Sequence, residues 1–97
     1  MLGSCHALEI GFVFGNNDAG FCGSGPDADA LSRKIQDAWT AFARTGNPSC
    51  DGIGRWEPYG DKRKTMILDR ECRLEEAPYE EERSAWDKFE MVFTKPI

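Results

Sequence analysis

Histidine is nearly missing from this chain: one copy, His6, is the only side chain whose ordinary pKa lies close to neutrality. No Cys-x-x-Cys pair occurs, so Cys5, Cys22, Cys50 and Cys72 do not form a zinc pattern, and no metal site is expected. No apolar run approaches the roughly 20 residues that span a bilayer. The longest, Ile10 to Phe14, is short and interrupted by Gly11. Basic residues are outnumbered, twelve against seventeen acids, for a net charge of −5. Nucleic acid and anionic membrane surfaces both select clustered positive charge, so neither is an expected partner. Met1-Leu2 is followed by Gly, Ser, Cys and His instead of a basic and then an apolar stretch. That is not a secretory leader, and a cytoplasmic setting is favoured. Four cysteines allow three pairings and the sequence selects none. Without a secretory signal, free thiols are the expectation. Internal repeats and low-complexity tracts are also lacking.

What is present suits one small unit. The chain has 97 residues, of which 40% are hydrophobic, including three Trp and six Phe. A core of this size is only marginally self-sufficient. Leu8 to Phe14 predicts one or two helical turns with Gly15 as the stop. Asn16 to Pro26 is rich in Asn, Asp, Gly and Ser and reads as a surface loop. From Asp27 to Thr45, Leu31, Ile35, Ala38, Trp39 and Phe42 recur at helical spacing within about 100° of arc. Ser32, Arg33, Gln36, Asp37, Thr40 and Arg44 fall on the other side. Asp27 and Asp29 suit the first turn of that helix, Arg44 the last, and Gly46 followed by Asn47-Pro48 ends it.

Asn47 to Lys64 is turn-rich, with Trp56 and Tyr59 expected to pack on a neighbouring surface. Thr65 to Leu68 and Cys72 to Glu75 predict a short hairpin, set within residues 64–76. Pro78 predicts the first turn of a final helix over 78–91, with Glu80-Glu81-Glu82 near its start as a solvated acidic face. Tyr79, Trp86, Phe89 and Phe93 would share one side of it. The elements are mostly helical with a short β-hairpin, an α+β mixture. A lone hairpin and an apolar helix stripe do not make a complete architecture. The two aromatic-bearing helices would either pack on each other or form the outer layer of a larger α/β sheet.

Gly3-Ser4-Cys5-His6-Ala7-Leu8-Glu9-Ile10-Gly11-Phe12-Val13-Phe14-Gly15 resembles the catalytic-histidine loop of the type B carboxylesterase and cholinesterase family. That family shows His, a small residue, any residue and Glu, then an apolar run ending Phe-Val-Phe-Gly. Asp37-Ala38-Trp39-Thr40-Ala41-Phe42-Ala43-Arg44-Thr45-Gly46-Asn47-Pro48 is similar to the family's late helix. Trp56, Pro58 and Tyr59 match the Trp-x-x-Tyr segment that follows, and Thr65 to Asp69 its closing strand. The likeness runs from about Gly3 to Cys72 in the family's order.

The resemblance implies the C-terminal fragment of an α/β-hydrolase, a single partial domain over residues 1–97 with the histidine loop at 3–15. It further implies a serine carboxylic-ester hydrolase, acting without cofactor on a carboxylic ester. In that chemistry an imidazole takes the proton of a serine hydroxyl while an acid orients the ring. His6 would be that general base and then general acid. The family's chain order is serine, acid, histidine, so both partners would lie upstream of His6. No Gly-x-Ser-x-Gly elbow surrounds Ser4, Ser24, Ser32, Ser49 or Ser84. The upstream part of the hydrolase domain would then be the partner that supplies the nucleophile, acid and oxyanion hole, and the isolated chain is expected to be inactive. Leu8 is a candidate for the substrate pocket, with packing as the equal alternative. Glu9 is expected as a buried structural carboxylate near the site. A thiol mechanism through Cys5 is disfavoured, because neighbouring side chains on an extended segment diverge. The alternative to the enzyme reading is a non-catalytic, truncated or remnant domain that acts only through association, including self-association.

Overall fold

Backbone chemistry sets the longest element. Pro26 takes the first helical position, where its missing N–H goes unused. Asp27 and Asp29 put negative charge in the first turn and Arg44 puts positive charge in the last. Gly46 then adopts the left-handed conformation at φ 83°, and its N–H donates to the Phe42 carbonyl at 2.7 Å. In a computed structural model, which describes residues 3–17 and 23–89, this 20-residue helix runs Pro26–Thr45. We number the elements α1 (Ile10–Val13), α2 (Pro26–Thr45), β1 (Lys64–Ile67), β2 (Arg73–Glu76) and α3 (Glu80–Asp87). The chain is therefore mostly helical with one two-stranded antiparallel sheet.

The hairpin pairs Lys64 with Glu76, Thr65 with Glu75, Met66 with Leu74 and Ile67 with Arg73. Strand side chains alternate between faces, so Met66 and Leu74 turn to the same side. There they join a small core in which Ala38, Ile53 and Met66 are buried and Cys50, Trp56, Leu68, Cys72 and Leu74 pack around them. Ile53 arrives on a tight turn closed by pairing of Cys50 with Gly54. Ser49 Oγ accepts the Trp56 N–H at 2.8 Å, which sets the chain after that turn. Trp56 is half-buried and meets Trp39 edge-on, with ring centroids 6.5 Å apart and planes at 63°. Tyr59, expected to anchor on a neighbouring surface, is 59% exposed within this segment, at the mouth of an apolar recess between the end of α2 and the hairpin.

Two polar residues correct the simple amphipathic picture of α2. Ser32, assigned above to the solvent side, is 4% exposed. Its hydroxyl donates to the Phe12 carbonyl at 2.7 Å and accepts from Gln36 Nε2 at 3.0 Å. The bond adds to the one that the Phe12 carbonyl accepts from the Gly15 N–H at 3.3 Å, and it ties α1 to α2. Gly15 follows at φ 70°, and a Cβ there would lie 2.6 Å from Gln36 Nε2. Conversely, Trp39 and Phe42 are 42% and 56% exposed although they belong to the apolar stripe. Among the described residues, α2 buries Ile35, Ala38 and Ala41 and half-buries Leu31.

The last helix starts later than Pro78. Ala77 and Tyr79 hold left-handed backbone at φ 47° and 57°, which breaks the helical path before Glu80. Its predicted end at 91, together with Phe93, lies outside the described residues. Trp86 and Phe89 stack at 6.0 Å, but α3 buries none of its residues. An ionic cluster ties it to the hairpin: Arg63 Nη1 donates to Glu80 Oε1 at 2.8 Å, and Arg83 Nη2 does so at 2.7 Å.

Two outcomes follow from these contacts. Ser32→Ala leaves the Phe12 carbonyl with only the 3.3 Å bond from the Gly15 N–H and takes away the acceptor of Gln36 Nε2, which should cost about 0.5–1.5 kcal/mol. It should also speed amide exchange at Phe14, Gly15 and Asn16 ahead of the α2 amides, as read by hydrogen–deuterium exchange. Glu80 is held down to about 2 from its ordinary 4.5, first by the Arg83 hydrogen bonds and then by Arg63. Its ionised form therefore supports the α3 contact fully above 4.5, and that support disappears as the pH falls through 2. A carboxyl-carbon NMR titration should show Glu80 protonating at about 2, and a midpoint at the ordinary 4.5 would contradict it.

Candidate active site

The residues around His6 form a turn that the hydrogen bonds define completely. The Cys5 N–H donates to the Gly3 carbonyl at 2.9 Å, the Leu8 N–H to the Cys5 carbonyl at 3.2 Å, and the Ile10 N–H to the Ala7 carbonyl at 3.3 Å. The second of these closes a four-residue β-turn with His6 and Ala7 in the middle. Ala7 has φ 69°, a position that a β-turn normally gives to glycine. An L-residue there carries roughly 1–2 kcal/mol of strain. The turn delivers the chain into α1, and Ser32 holds α1 against α2.

This geometry sorts the candidate residues. His6 is exposed at the crest of the turn, and its ring makes no hydrogen bond among the described residues. Leu8 is half-buried and faces a recess of about 340 Å³ behind the turn, bounded also by Ser4, Cys5, Phe12, Leu31, Ile35 and Leu68. Glu9 borders the same recess but is exposed, which overturns the expectation of a buried carboxylate. It sits just before α1, makes no side-chain capping bond, and has no ion-pair partner among the described residues. A carboxylate with no such partner stays in water, since burial would be too costly. The structure thus brings Leu8 and Glu9 to one recess, which the exposed His6 does not line.

Asp69 also borders this recess, from the tip of the hairpin, and was not singled out from the sequence. No local signal marks it, because its position depends on how the hairpin lies along α2. Cys5 is a half-buried thiol that faces the recess while His6 faces outward, and no hydrogen bond joins the two. Cys50 and Cys72 are likewise free thiols, and Cys22 lies outside the described residues. Among the described residues no three His, Cys, Asp or Glu side chains gather as a metal-ligand set. No helix among them is long and apolar enough to cross a membrane.

Comparison with known proteins decides the ancestry of this turn. The model of the carboxylesterase family matches residues 1–86, almost the whole chain. The chain belongs to the carboxylesterase family. The match continues past Cys72, through the second strand and most of α3, beyond the span legible by eye. A para-nitrobenzyl esterase of Bacillus subtilis (strain 168) is 42% identical over 83 residues, which are 80% of this chain and 17% of that protein. Carboxylesterase 5A of Canis lupus familiaris is 34% identical over 86 residues, covering 84% of this chain and 15% of the relative. Among solved structures, a Geobacillus stearothermophilus carboxylesterase superposes with a TM-score of 0.72 at 33% identity, over 89% of this chain and 19% of its own. This chain thus spans less than a fifth of the length of these relatives, and its fold is a segment of the α/β-hydrolase architecture that esterases of this family share.

The strain at the turn has a measurable consequence. Ala7→Gly removes the left-handed penalty and should raise stability by about 0.5–1 kcal/mol, or leave it unchanged if unfolded-state entropy offsets the gain. Ala7→Val adds branching at the same φ and should lower it by more than 1 kcal/mol, on the order of the strain itself. Urea unfolding of both variants measures the difference, and equal effects would mean that the turn relaxes freely.

Proposed function

We propose that this carboxylesterase-family chain, taken over residues 1–97 as a single partial domain, is the C-terminal part of a serine carboxylic-ester hydrolase in which His6 moves the protons. The observation that supports this most is an imidazole that opens the family-matched segment, stands exposed on a tight turn, and has neither ring nitrogen engaged within the described residues. Both nitrogens are then available to groups on another part of the domain. One would face a serine hydroxyl and the other an orienting carboxylate.

The sequence of proton moves follows from elementary acid–base chemistry. A hydroxyl is a weak nucleophile until its proton has an acceptor in line with attack. The His6 imidazole accepts that proton as the serine oxygen adds to the ester carbonyl. Holding it as imidazolium, the ring then donates it to the departing alkoxide, leaving an acyl-enzyme. The same ring draws a proton from water to reverse the process and free the acid. Each transfer runs between oxygen and nitrogen atoms of side chains, substrate and water, so the proposed reaction calls on no cofactor. Backbone amides elsewhere in the domain would stabilise the oxyanion.

Leu8, half-buried two residues after His6, is assigned a contact with the acyl or alkyl part of the substrate. Glu9 is assigned a structural role beside the site in the whole domain, through partners beyond this segment. The exposed Trp39 and Phe42 fit the same reading, because a helix stripe wider than its local cover is what an outer layer presents to the sheet it packs on. The same exposed face favours a second reading, a segment that acts only by association with itself or with a larger fragment.

In the assembled hydrolase, His6→Ala should lower kcat/KM for a nitrophenyl ester by a factor on the order of 10⁶, as removal of a triad base does elsewhere, with circular dichroism unchanged. Residues 1–97 alone should hydrolyse the same ester no faster than an equal concentration of free imidazole. Turnover that survives in the His6→Ala hydrolase would remove His6 from the mechanism. Fast turnover by residues 1–97 alone would instead show that the nucleophile lies within them.

A further inference from the structure

Spacing left three pairings open for the four cysteines; among the described residues, the fold sets Cys50 and Cys72 on one core and Cys5 apart from it. Cys50 and Cys72 are both half-buried thiols packed against the cluster of Ala38, Ile53 and Met66. They reach it from separate segments, Cys50 from the start of the 50–54 turn and Cys72 from the residue before β2. Both segments converge on one residue of α2. The Lys34 carbonyl accepts from the Cys50 thiol at 4.0 Å, and the Lys34 ammonium donates to the Arg70 carbonyl at 3.3 Å. The turn presses close to this lysine, since a Cβ on Gly52 would lie 2.9 Å from Lys34 Cγ. Cys72 donates only within its own hairpin tip, to the Asp69 carbonyl at 3.6 Å. Cys5, by contrast, is not packed on the cluster and faces the recess behind the histidine turn.

We propose that Cys50 and Cys72 are a dithiol–disulfide pair that closes by exchange with a low-molecular-weight disulfide such as oxidised glutathione. One protein thiolate attacks the small disulfide, breaks its S–S bond, and forms a mixed disulfide while one small thiolate leaves. The second protein thiolate attacks the mixed disulfide at the protein sulfur and expels the other small thiolate. One S–S bond is lost and one is made. The protein dithiol loses two electrons, the small disulfide gains them, and the two thiol protons end on the two small thiols. Closure gives up only weak S–H donor bonds to backbone carbonyls. The product joins the 50–54 turn to the hairpin tip by a covalent link over the Ala38–Ile53–Met66 core. This inference rests on core packing and is independent of any role for His6.

Tryptic mapping resolves the pairing, because Cys50 falls in the peptide Thr45–Arg55, Cys72 in Glu71–Arg73, and Cys5 and Cys22 together in Met1–Arg33. The folded 97-residue chain is held with excess oxidised glutathione, capped with iodoacetamide, and digested without reduction. The expected dominant product is Thr45–Arg55 joined to Glu71–Arg73, together with a higher urea midpoint than the reduced chain. Cys50→Ser and Cys72→Ser should each leave the remaining partner as its glutathione adduct and abolish the rise in midpoint. In urea-unfolded chain the selectivity should vanish, with links to Met1–Arg33 appearing as well. Glutathione or iodoacetamide adducts on both cysteines of the folded chain, or a link from either to Met1–Arg33 in its place, would overturn the pairing.

Discussion

A single hydroxyl-to-carbonyl hydrogen bond, from Ser32 to Phe12 across 20 residues of sequence, determines where the histidine turn lies on this segment. α1 has four residues and cannot hold its own position, because one turn of helix does not offset its nucleation cost. Docked through Ser32 and Phe12 onto a 20-residue helix, it becomes a fixed platform. The turn with His6 at its crest then has a defined direction, and Leu8 is carried into the recess between α1, α2 and the hairpin tip. Remove that bond and the orientation of the histidine turn rests on the packing of the buried Phe12 against α2.

The parts of this arrangement that were legible in the sequence are those governed by local rules. α2 announces itself through a period of 3.6, acids at one end, a base at the other, and a glycine stop. The hairpin does so through its β-prone runs on either side of a polar turn. The histidine was legible for another reason, likeness to a family loop, since a solitary imidazole carries no pattern of its own. What escaped was non-local. Ser32 looks like a solvent-facing residue until the carbonyl of Phe12 is brought to it. Glu9 was expected to be buried from its place in the family loop, yet within this segment it is exposed. Pro78 promised a helix start, but left-handed backbone at Ala77 and Tyr79 delays it to Glu80.

The same division between local and distant explains the modest core. Only small or medium side chains (Ala38, Ile53, Met66) are buried in the central cluster, while Trp39, Phe42, Trp86 and Phe89 keep 42% to 66% of their surface exposed. Burying one large apolar side chain stabilises by about 1.5–3 kcal/mol, so several such contributions are not realised within this segment. The secondary structure is consequently better specified than the tertiary packing. Local propensities shape the elements, and the family match, which covers 17% of one relative and 15% of another, indicates how much more surface such elements meet in a full-length esterase.

Position 15 illustrates what this economy of contacts does to evolutionary freedom. Gly15 has left-handed backbone, and the place where a first side-chain carbon would go is already filled by the amide of Gln36. The backbone torsion is the firm constraint on this codon, since the Gln36 amide ends a flexible side chain that can swing aside. An alanine there would have to displace Gln36, and with it the partner that Ser32 accepts from. Drift at residue 15 is thereby coupled to drift at 36 and 32, and the three sites should change together or stay as they are.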